Sequence, residues 1–533
     1  MKSLLPRMQL SICVLACTAQ LAIGAEMPKL VSRDGRQMLT VDGAPFLVLG
    51  AQVNNSSAWP GMLPQVWPAI ADVHANTVLV PIAWEQIEPV EGKFDFSFLD
   101  TLLSEAREHD VRLILLWFGT WKNNGPNYAP EWVKLDSKRF PRLVDAGGKS
   151  FYSLSPHTPA TLQADRKAFV AFMRHLREAD PQHTTIMVQV ENEAGTYGAV
   201  RDFSPAAQKL FNAPVPSKLR KNGGTWSQVF GADADEFFHA YSVASFIGQV
   251  AAAGKAEYPI PMYVNAALRD PLRPGKPGQY ESGGPTDNVI DIYKAAAPAI
   301  DLIAPDIYMP EYEKYVRVLD LYKRPDNALF VAETANHPAY ARYFFATLGH
   351  QGIGFAPFGI DYTGYSNFPL GAPKFDPEAL APFALNYKLV APLARQLAEL
   401  SLQGKVWGVA EDPQSPSQEF ALSPGWSAKV SYGQPQFGPE PPKGNRTLGN
   451  PTPNGGALIA QLAANEFLVT GFHARVYINS TGKPSRMMAR VEEGTYDDGK
   501  WQFLRVWNGD QTDWGLNFTS VPQVLRVRFA AVE

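Results

Sequence analysis

Short apolar runs alternate with amphipathic stretches between residues 43 and 400. Eight of the runs have the length and composition of buried strands. They are Phe46–Ala51, Thr77–Ile82, Arg112–Trp117, Thr185–Val190, Pro261–Asn265, Leu302–Ile307, Leu329–Ala332 and Gly352–Phe358. Between them, apolar residues recur at helical spacing, as at Leu99, Leu102, Leu103 and Ala106. This alternation predicts an α/β fold with a parallel sheet.

The helices predicted after these strands complete the pattern. One follows Thr158 as N-cap and Pro159 as first helical residue. Others are predicted over Phe237–Ala252, Val289–Ala299 and Tyr315–Leu321. Eight strands, nearly all followed by a helix, favour a (β/α)8 TIM barrel over residues 26–402. A doubly wound open sheet is the alternative, but the sequence has no glycine-rich phosphate-binding loop after a first strand.

The pattern changes after residue 403. Several short runs there alternate polar and apolar residues, as half-buried antiparallel strands do. They are Phe420–Leu422, Ala428–Tyr432, Glu466–Thr470, Ala474–Ile478, Met488–Glu493, Trp501–Trp507 and Val524–Phe529. The segment Gly433–Gly456 is rich in Gly, Pro and Asn and is predicted to be a long loop. We therefore expect an all-β, sandwich-like C-terminal domain over residues 403–533.

The first 25 residues have the pattern of a signal peptide. Lys2 and Arg7 precede a mostly apolar run over Leu10–Ile23, and small residues follow. The run is too short for a convincing membrane span. We expect an exported protein, periplasmic, outer-membrane-associated or extracellular, in a bacterium of the Gram-negative type.

Both cysteines of the chain, Cys13 and Cys17, lie inside this leader. After its removal the protein would have neither a disulfide nor a thiolate site. The run Val14-Leu15-Ala16-Cys17 is an imperfect lipobox, which leaves open a lipid anchor at Cys17.

Composition and charge exclude several functions. The net charge of −4 gives no basic surface for nucleic acid or anionic membranes. The nine histidines include no H-x-H or H-E-x-x-H pattern, and G-x-S-x-G is absent. We expect no metal and no cofactor. Aromatic residues make up 12% of the chain, which fits both a sugar-binding surface and an ordinary core.

Two acids follow apolar strands at positions that suggest catalysis. Glu193 follows the fourth strand in Glu191-Asn192-Glu193, and Glu333 follows the seventh. One such acid could simply cap a strand or pair with an arginine, because an unpaired charge is costly there. Two of them at one barrel mouth could instead flank a scissile bond. Glycoside cleavage requires such a carboxyl pair.

The same residues resemble a known group of enzymes. Asn192-Glu193 after strand four and Glu333 after strand seven resemble the signature of the large clan of retaining barrel glycosidases. The run from Val188 to Glu193, and Trp84-Glu85-Gln86-Ile87-Glu88-Pro89, resemble glycoside hydrolase family 35, chiefly β-galactosidases. The β-only C-terminal domain is similar to that of a bacterial subgroup.

This resemblance implies roles for four residues. Glu193 would be the acid/base and Glu333 the nucleophile, with a double-displacement mechanism that retains configuration. Asn192 would hold the sugar 2-hydroxyl, and Tyr308 would donate a hydrogen bond to the nucleophile.

The chain departs from the family 35 pattern at several positions. Ala194 and Ala335 replace usual tyrosines, and Gly119-Thr120-Trp121 lacks the usual acid. Three further runs resemble glycoside hydrolase family 42, also β-galactosidases: Ala129-Pro130-Glu131-Trp132-Val133, Phe140-Pro141 and Ser155-Pro156-His157. The departures leave the mechanism better defined than the sugar.

Further candidates for substrate contact lie near strand ends. Four indoles could stack on sugar faces, with core packing as the alternative: Trp84, Trp117, Trp121 and Trp132. Gln52, Asn54, Asn265 and Phe358 are further candidates at the mouth.

The main hypothesis is a retaining exo-β-galactosidase that removes terminal β-D-galactosyl residues from plant cell-wall polysaccharide side chains or oligosaccharides, such as xyloglucan. A β-glycosidase of another sugar specificity, or an endo-acting enzyme, remains open. The alternative of another class is a non-catalytic carbohydrate-binding protein on a barrel scaffold. The sequence leaves the oligomeric state and the role of the C-terminal domain open.

Overall fold

The computed structural model describes residues 26–219, 223–435, 437–439, 449–482, 484–497 and 499–532. The predicted signal peptide and Cys17 lie outside the described residues, as does part of the predicted loop between Gly433 and Gly456. Among the described residues, no helix has the length and apolar character needed to cross a membrane.

Eight parallel strands close into a barrel. In chain order they are β1 (Val48–Gln52), β2 (Thr77–Ala83), β3 (Arg112–Lys122), β4 (Thr185–Asn192), β5 (Met262–Ala267), β6 (Leu302–Ile307), β7 (Phe330–Thr334) and β8 (Gly354–Pro357). Each strand pairs with the next, and β8 returns to β1. All eight predicted strands are confirmed, and closure of the sheet excludes the open doubly wound alternative.

Helices surround the barrel, and most of them bury an apolar face in the core that they share with the strands. The helix Ser97–Glu108 buries Leu99, Leu102, Leu103 and Ala106, as its spacing predicts. The helices are Leu63–Val73, Trp84–Ile87, Ser97–Glu108, Glu131–Lys134, Pro159–Ala179, Pro205–Phe211, Trp226–Phe230, Ala234–Glu257, Ile290–Ala296, Tyr312–Tyr322, Tyr343–Gly349, Pro377–Val390 and Ala394–Leu402. Single turns of 3-10 helix span Asn55–Ser57, Pro60–Met62, Gly231–Asp233, Asp287–Val289, Pro338–Tyr340, Ala391–Leu393 and Gly509–Gln511.

A three-stranded antiparallel sheet precedes the barrel, with strands Lys29–Arg33, Arg36–Val41 and Ala44–Phe46. Its Leu39 and Val41 pack in one cluster with interior residues from the start of the barrel strands, such as Val48 and Phe330. This sheet therefore closes the N-terminal end of the barrel, and the C-terminal end is left for the site. A hairpin of Arg142–Val144 and Ser150–Leu154 lies in the long connection after β3.

The C-terminal domain consists of two antiparallel sheets around a shared core, as predicted. The six-stranded sheet has the order Val406–Ala410, Gly456–Ala463, Glu466–Phe472, Val524–Ala531, Arg486–Asp497, Lys500–Trp507. The four-stranded sheet has the order Ser417–Ala421, Trp426–Ser431, Ala474–Ser480, Leu516–Phe518. The strands Val406–Ala410, Gly456–Ala463 and Leu516–Phe518 were not predicted.

Candidate active site

A cleft of about 640 Å³ opens at the C-terminal ends of the barrel strands. This volume lies within the range usual for ligand sites. Its floor is polar and includes Glu193, Glu333, Lys122 and Asn54. The remaining lining residues are Asn55, Ser56, Ser57, Met62, Asn123, Tyr128, Ala267, Glu281, Tyr308, Phe358, Thr363, Tyr365, Asn367 and Leu370.

Glu333 lies near the end of β7 and is 4% exposed. Its two carboxylate oxygens accept hydrogen bonds from different barrel strands. The Gln52 side-chain amide donates to Oε1 at 2.7 Å, and the Tyr308 hydroxyl donates to Oε2 at 2.8 Å. Because both donors favour a charged acceptor, they hold Glu333 as an oriented carboxylate.

Glu193 directly follows β4, and its backbone is in the left-handed region with a φ of 43°. This conformation costs on the order of 1 kcal/mol for a residue with a side chain. The backbone N–H of Glu193 donates to the Asn265 side chain at 2.9 Å, which helps to hold this turn. The turn places the Glu193 carboxyl in the cleft with 13% of its side chain exposed.

Burial raises the pKa of Glu193 to about 7. The Lys122 ammonium, whose Nζ lies 4.0 Å from Glu193 Oε2, opposes this rise, whereas the Glu333 carboxylate adds to it. Glu193 can therefore hold a proton under mildly acidic to neutral conditions and release it within the same range. This is the behaviour required of a general acid that later acts as a base.

A third carboxyl group, Asp306, completes a cluster with the two glutamates. One oxygen of each lies within 4.8 Å of the others. Asp306 lies one residue before the end of β6, next to Glu333 in register, and accepts a hydrogen bond from the Asn265 amide at 2.6 Å. Burial, followed by the nearby Glu333 charge, raises the pKa of Asp306 well above its usual range.

Three carboxyl groups at this spacing could hold a metal ion. Here Lys122 already supplies a positive charge beside them, and the raised pKa values of Glu193 and Asp306 reduce the negative charge of the cluster.

The predicted substrate-contact residues occupy different places. Gln52, Asn265 and Tyr308 contact Glu333 or the backbone of Glu193, as described above. Asn54 and Phe358 line the cleft. Asn192 is fully buried beside Glu193, and neither atom of its amide has a hydrogen-bond partner in the structure. The predicted contact of Asn192 with a sugar hydroxyl stays a prediction.

The interpretation of the four tryptophans as sugar-stacking residues is corrected by their placement. Trp84, Trp117 and Trp121 are at most 2% exposed, and Trp132 is half-buried. Trp117 stacks on Phe172 of the helix outside β3.

Each of these indoles also has an internal hydrogen-bond acceptor. Trp117 donates to Asp165, Trp121 to the Leu154 carbonyl, Trp84 to the Glu88 carboxylate and Trp132 to the Glu88 carbonyl. None of these four described side chains lines the cleft, and core packing is the correct interpretation for the buried Trp84, Trp117 and Trp121.

Sequence reasoning missed Lys122, Asp306, Tyr128, Glu281 and Tyr365. Asp306 carried the same signal as Glu333, an acid at the end of an apolar strand. Lys122 was not predicted as a site residue because β3 continues five residues beyond its predicted end at Trp117. Glu281 and Tyr365 come from loops, whose positions at the mouth no periodicity reveals.

Two segments of the chain match models of known protein families. Residues 68–231 match a family model described as beta-galactosidase, of glycoside hydrolase family 42. Residues 383–519 match a domain of unknown function (DUF5597). No curated protein matches the chain significantly.

Three solved structures illustrate the likeness. The beta-galactosidase from Bacillus circulans sp. alkalophilus has a TM-score of 0.48 and 12% identity over 66% of this chain and 57% of its own. The beta-galactosidase from the psychrophilic Marinomonas ef1 has a TM-score of 0.49 and 13% identity, over 67% of this chain and 62% of its own. A catalytic mutant of a family 42 beta-galactosidase from G. stearothermophilus has a TM-score of 0.46 and 16% identity, over 66% of this chain and 57% of its own. This chain thus covers less than two thirds of each enzyme.

The fold and the site define a closed eight-stranded barrel with a carboxyl cluster at the C-terminal mouth. Its sequence is similar to family 42 β-galactosidases over a segment that contains Glu193, Lys122 and Tyr128. The specific assignment to family 35 is not supported, and family 42, which three sequence runs also resembled, is the better fit.

Proposed function

We propose that the protein is a retaining exo-β-galactosidase that releases terminal β-D-galactosyl residues from plant cell-wall polysaccharide side chains or oligosaccharides. The observation that carries this proposal is the placement of Glu193 and Glu333 across one cleft, with carboxyl oxygens within 4.8 Å of each other. Retaining glycosidases place their carboxyl groups roughly 5–5.5 Å apart, and inverting enzymes roughly 6.5–9.5 Å apart. The short separation supports the retaining mechanism.

The first step uses the two glutamates in opposite protonation states. The Glu193 carboxyl group protonates the glycosidic oxygen while the Glu333 carboxylate attacks the anomeric carbon. The bond to the aglycone breaks, the aglycone leaves as an alcohol, and an ester joins the sugar to Glu333. The hydrogen bonds from Gln52 and Tyr308 orient the attacking oxygen.

The second step releases the sugar. Glu193, now a carboxylate, takes a proton from water, whose oxygen attacks the anomeric carbon and frees Glu333. The Lys122 ammonium stabilises the carboxylate form of Glu193 between the two steps. Two inversions return the product to the β configuration.

The choice of galactose rests on the family 42 match over residues 68–231. A β-glycosidase of another sugar specificity is the second candidate, because the family 42 match covers residues 68–231 and leaves out Glu333 and the loop after β8. The leader-like residues 1–25 support the further proposal of export, which the mass of the mature N-terminus tests.

A panel of nitrophenyl β-glycosides tests both the activity and the sugar. We expect preferred cleavage of the β-galactoside, loss of at least a thousandfold in kcat for Glu333→Ala, and little change for Glu85→Gln. Glu85 is a suitable control because it pairs with Lys134 away from the cleft.

Azide, added as an external nucleophile, distinguishes the proposed nucleophile Glu333 from the proposed acid/base Glu193. Added to Glu333→Ala, it should yield the α-glycosyl azide, because one inversion replaces two. Added to Glu193→Ala, it should yield the β-azide. Preference for another glycoside would keep the mechanism and change the sugar, and no cleavage of any glycoside or oligosaccharide would favour the binding-protein alternative.

A further inference from the structure

The loop after β8, residues 361–372, forms one wall of the cleft and exposes large apolar side chains. Tyr365 and Leu370 line the cleft while 59% and 51% exposed, and Phe368 beside them is 63% exposed. Contiguous exposed apolar side chains next to a cleft indicate a binding surface more often than isolated ones do.

The loop is held from beneath by buried polar contacts. The Asp361 carboxylate accepts hydrogen bonds from the backbone and side chain of Asn54 at 2.8 and 2.9 Å. The Ala372 backbone N–H donates to the buried Asn336 side chain at 2.9 Å. Both ends of the loop are therefore fixed to the barrel, and the apolar side chains between them are presented without a large ordering cost.

Tyr128 extends the apolar lining from the loop after β3. Its ring packs on Phe118 with a centroid separation of 5.1 Å, and it is half-buried at the cleft wall. We define the rings of Tyr128, Tyr365 and Phe368 as the aromatic rim, and Leu370 lines the cleft beside them. Tyr128 and Tyr365 of the rim line the same cleft as Glu193 and Glu333.

The floor and the rim suit different chemical groups. A floor of carboxyl, amide and ammonium groups fits the hydroxyls of the sugar that is cleaved. A rim of aromatic rings fits the C–H faces of further sugar rings, which pack on aromatic planes. A cleft of about 640 Å³ has room beyond the catalytic floor for such an extension.

We propose that the aromatic rim binds the aglycone and that this aglycone is itself a glycan chain. This inference rests on the proposed function for the orientation of the substrate. It adds a binding surface to the catalytic site, with Tyr365 as its central residue.

The test compares two substrates that share the cleaved sugar. One is the β-glycosyl fluoride, which has no aglycone ring, and the other is a galactosylated xyloglucan oligosaccharide. We expect Tyr365→Ala to lower kcat/KM about tenfold for the oligosaccharide, equivalent to about 1.4 kcal/mol, and less than threefold for the fluoride. Tyr365→Phe should retain the wild-type values because it keeps the ring. Phe503→Ala removes an exposed ring from the C-terminal domain and is the matched control.

An equal loss on both substrates would overturn the proposal, because Tyr365 would then act on the cleaved sugar or on folding. No loss on the oligosaccharide would overturn it as well. Calorimetric binding of the oligosaccharide to Glu333→Ala, with and without Tyr365→Ala, gives a readout that does not need turnover. At least fivefold weaker binding in the double variant supports the rim even if the proposed reaction fails, and unchanged binding refutes it.

Discussion

The protonation of Glu193 depends on opposing influences within a few ångströms. Burial and the Glu333 charge favour the neutral acid, whereas the Lys122 ammonium favours the carboxylate. Lys122 is 7% exposed, also donates to the Asn123 side chain, and lies opposite Asn192 in the pairing of β3 with β4. Its position on a barrel strand keeps its charge at a fixed distance from the acid.

Replacing Lys122 with methionine tests this balance. The loss of a positive charge raises the pKa of Glu193 further, so the general acid stays protonated to higher pH. We therefore expect the alkaline limb of kcat/KM, near pH 7 in the wild type, to move upward by about one unit. The measurement uses methyl β-galactoside, whose poor leaving group requires protonation. Lys122→Arg retains the charge and should keep the limb in place, and an unmoved limb in Lys122→Met would contradict the assigned influence.

At the scale of elements, the end of β4 is held by the helix Pro159–Ala179. The fully buried Asp165 of this helix accepts hydrogen bonds from Trp117 Nε1 at 2.9 Å and from the Thr120 N–H and hydroxyl at 3.0 and 2.5 Å. The next backbone N–H, of Trp121, donates to Glu191 at 2.7 Å. Burial, together with the Asp165 charge, raises the pKa of Glu191 well above its usual range. Asp165 and Glu191 together join the helix Pro159–Ala179, β3 and β4 directly behind Glu193.

Replacing Asp165 with asparagine should destabilise this junction. The amide has nearly the same volume but presents donors where buried donors need an acceptor. We expect the free energy of unfolding to fall by about 2–4 kcal/mol. Urea denaturation measures this change. Glu178→Gln, at an exposed position on the same helix, is the control, and equal stabilities of the two variants would argue against the junction.

At the scale of the whole molecule, the C-terminal domain packs directly on the helix that follows β7. The Arg342 guanidinium donates to the Pro453 carbonyl of that domain at 2.8 Å, and Tyr343 stacks on Tyr315 at 3.8 Å. The Tyr315 hydroxyl in turn donates to Thr334, the neighbour of Glu333, at 3.1 Å. This continuous packing makes the C-terminal domain a structural support for the strand that carries Glu333.

Gly408 offers a test of that support. The first strand of the C-terminal domain approaches the helix Tyr343–Gly349 so closely that a Cβ at Gly408 would lie 2.1 Å from the Phe345 carbonyl oxygen. We expect Gly408→Ala to lower the free energy of unfolding by about 2 kcal/mol or more, because neither the strand nor the helix backbone can move apart without a loss of packing energy. The midpoint of thermal unfolding reports it. At Gly482 the nearest atom is 3.9 Å away, so Gly482→Ala should change little, and a tolerated Gly408→Ala would mean that the interface is loose.

Periodicity alone determined the barrel, and strand-end chemistry singled out the two acids that we propose as catalytic. Buried parallel strands must be nearly continuous apolar runs. A charge at the end of such a run costs free energy unless it is solvated or paired, so it indicates a specific role. For this reason the sequence predicts a shared mouth for Glu193 and Glu333, and both line the same cleft. The same rule applied to β6 would have identified Asp306.

Only the tertiary structure decided which neighbours act on those acids. Whether Trp117 points into the mouth or the helix layer depends on the twist and true length of β3. Whether Lys122 lies beside Glu193 depends on strand pairing across 70 residues of sequence. The aromatic rim combines loops after β3 and β8, and loops have no period that a sequence can reveal. The sequence therefore determines which chemistry is available, and closure of the barrel determines which groups meet.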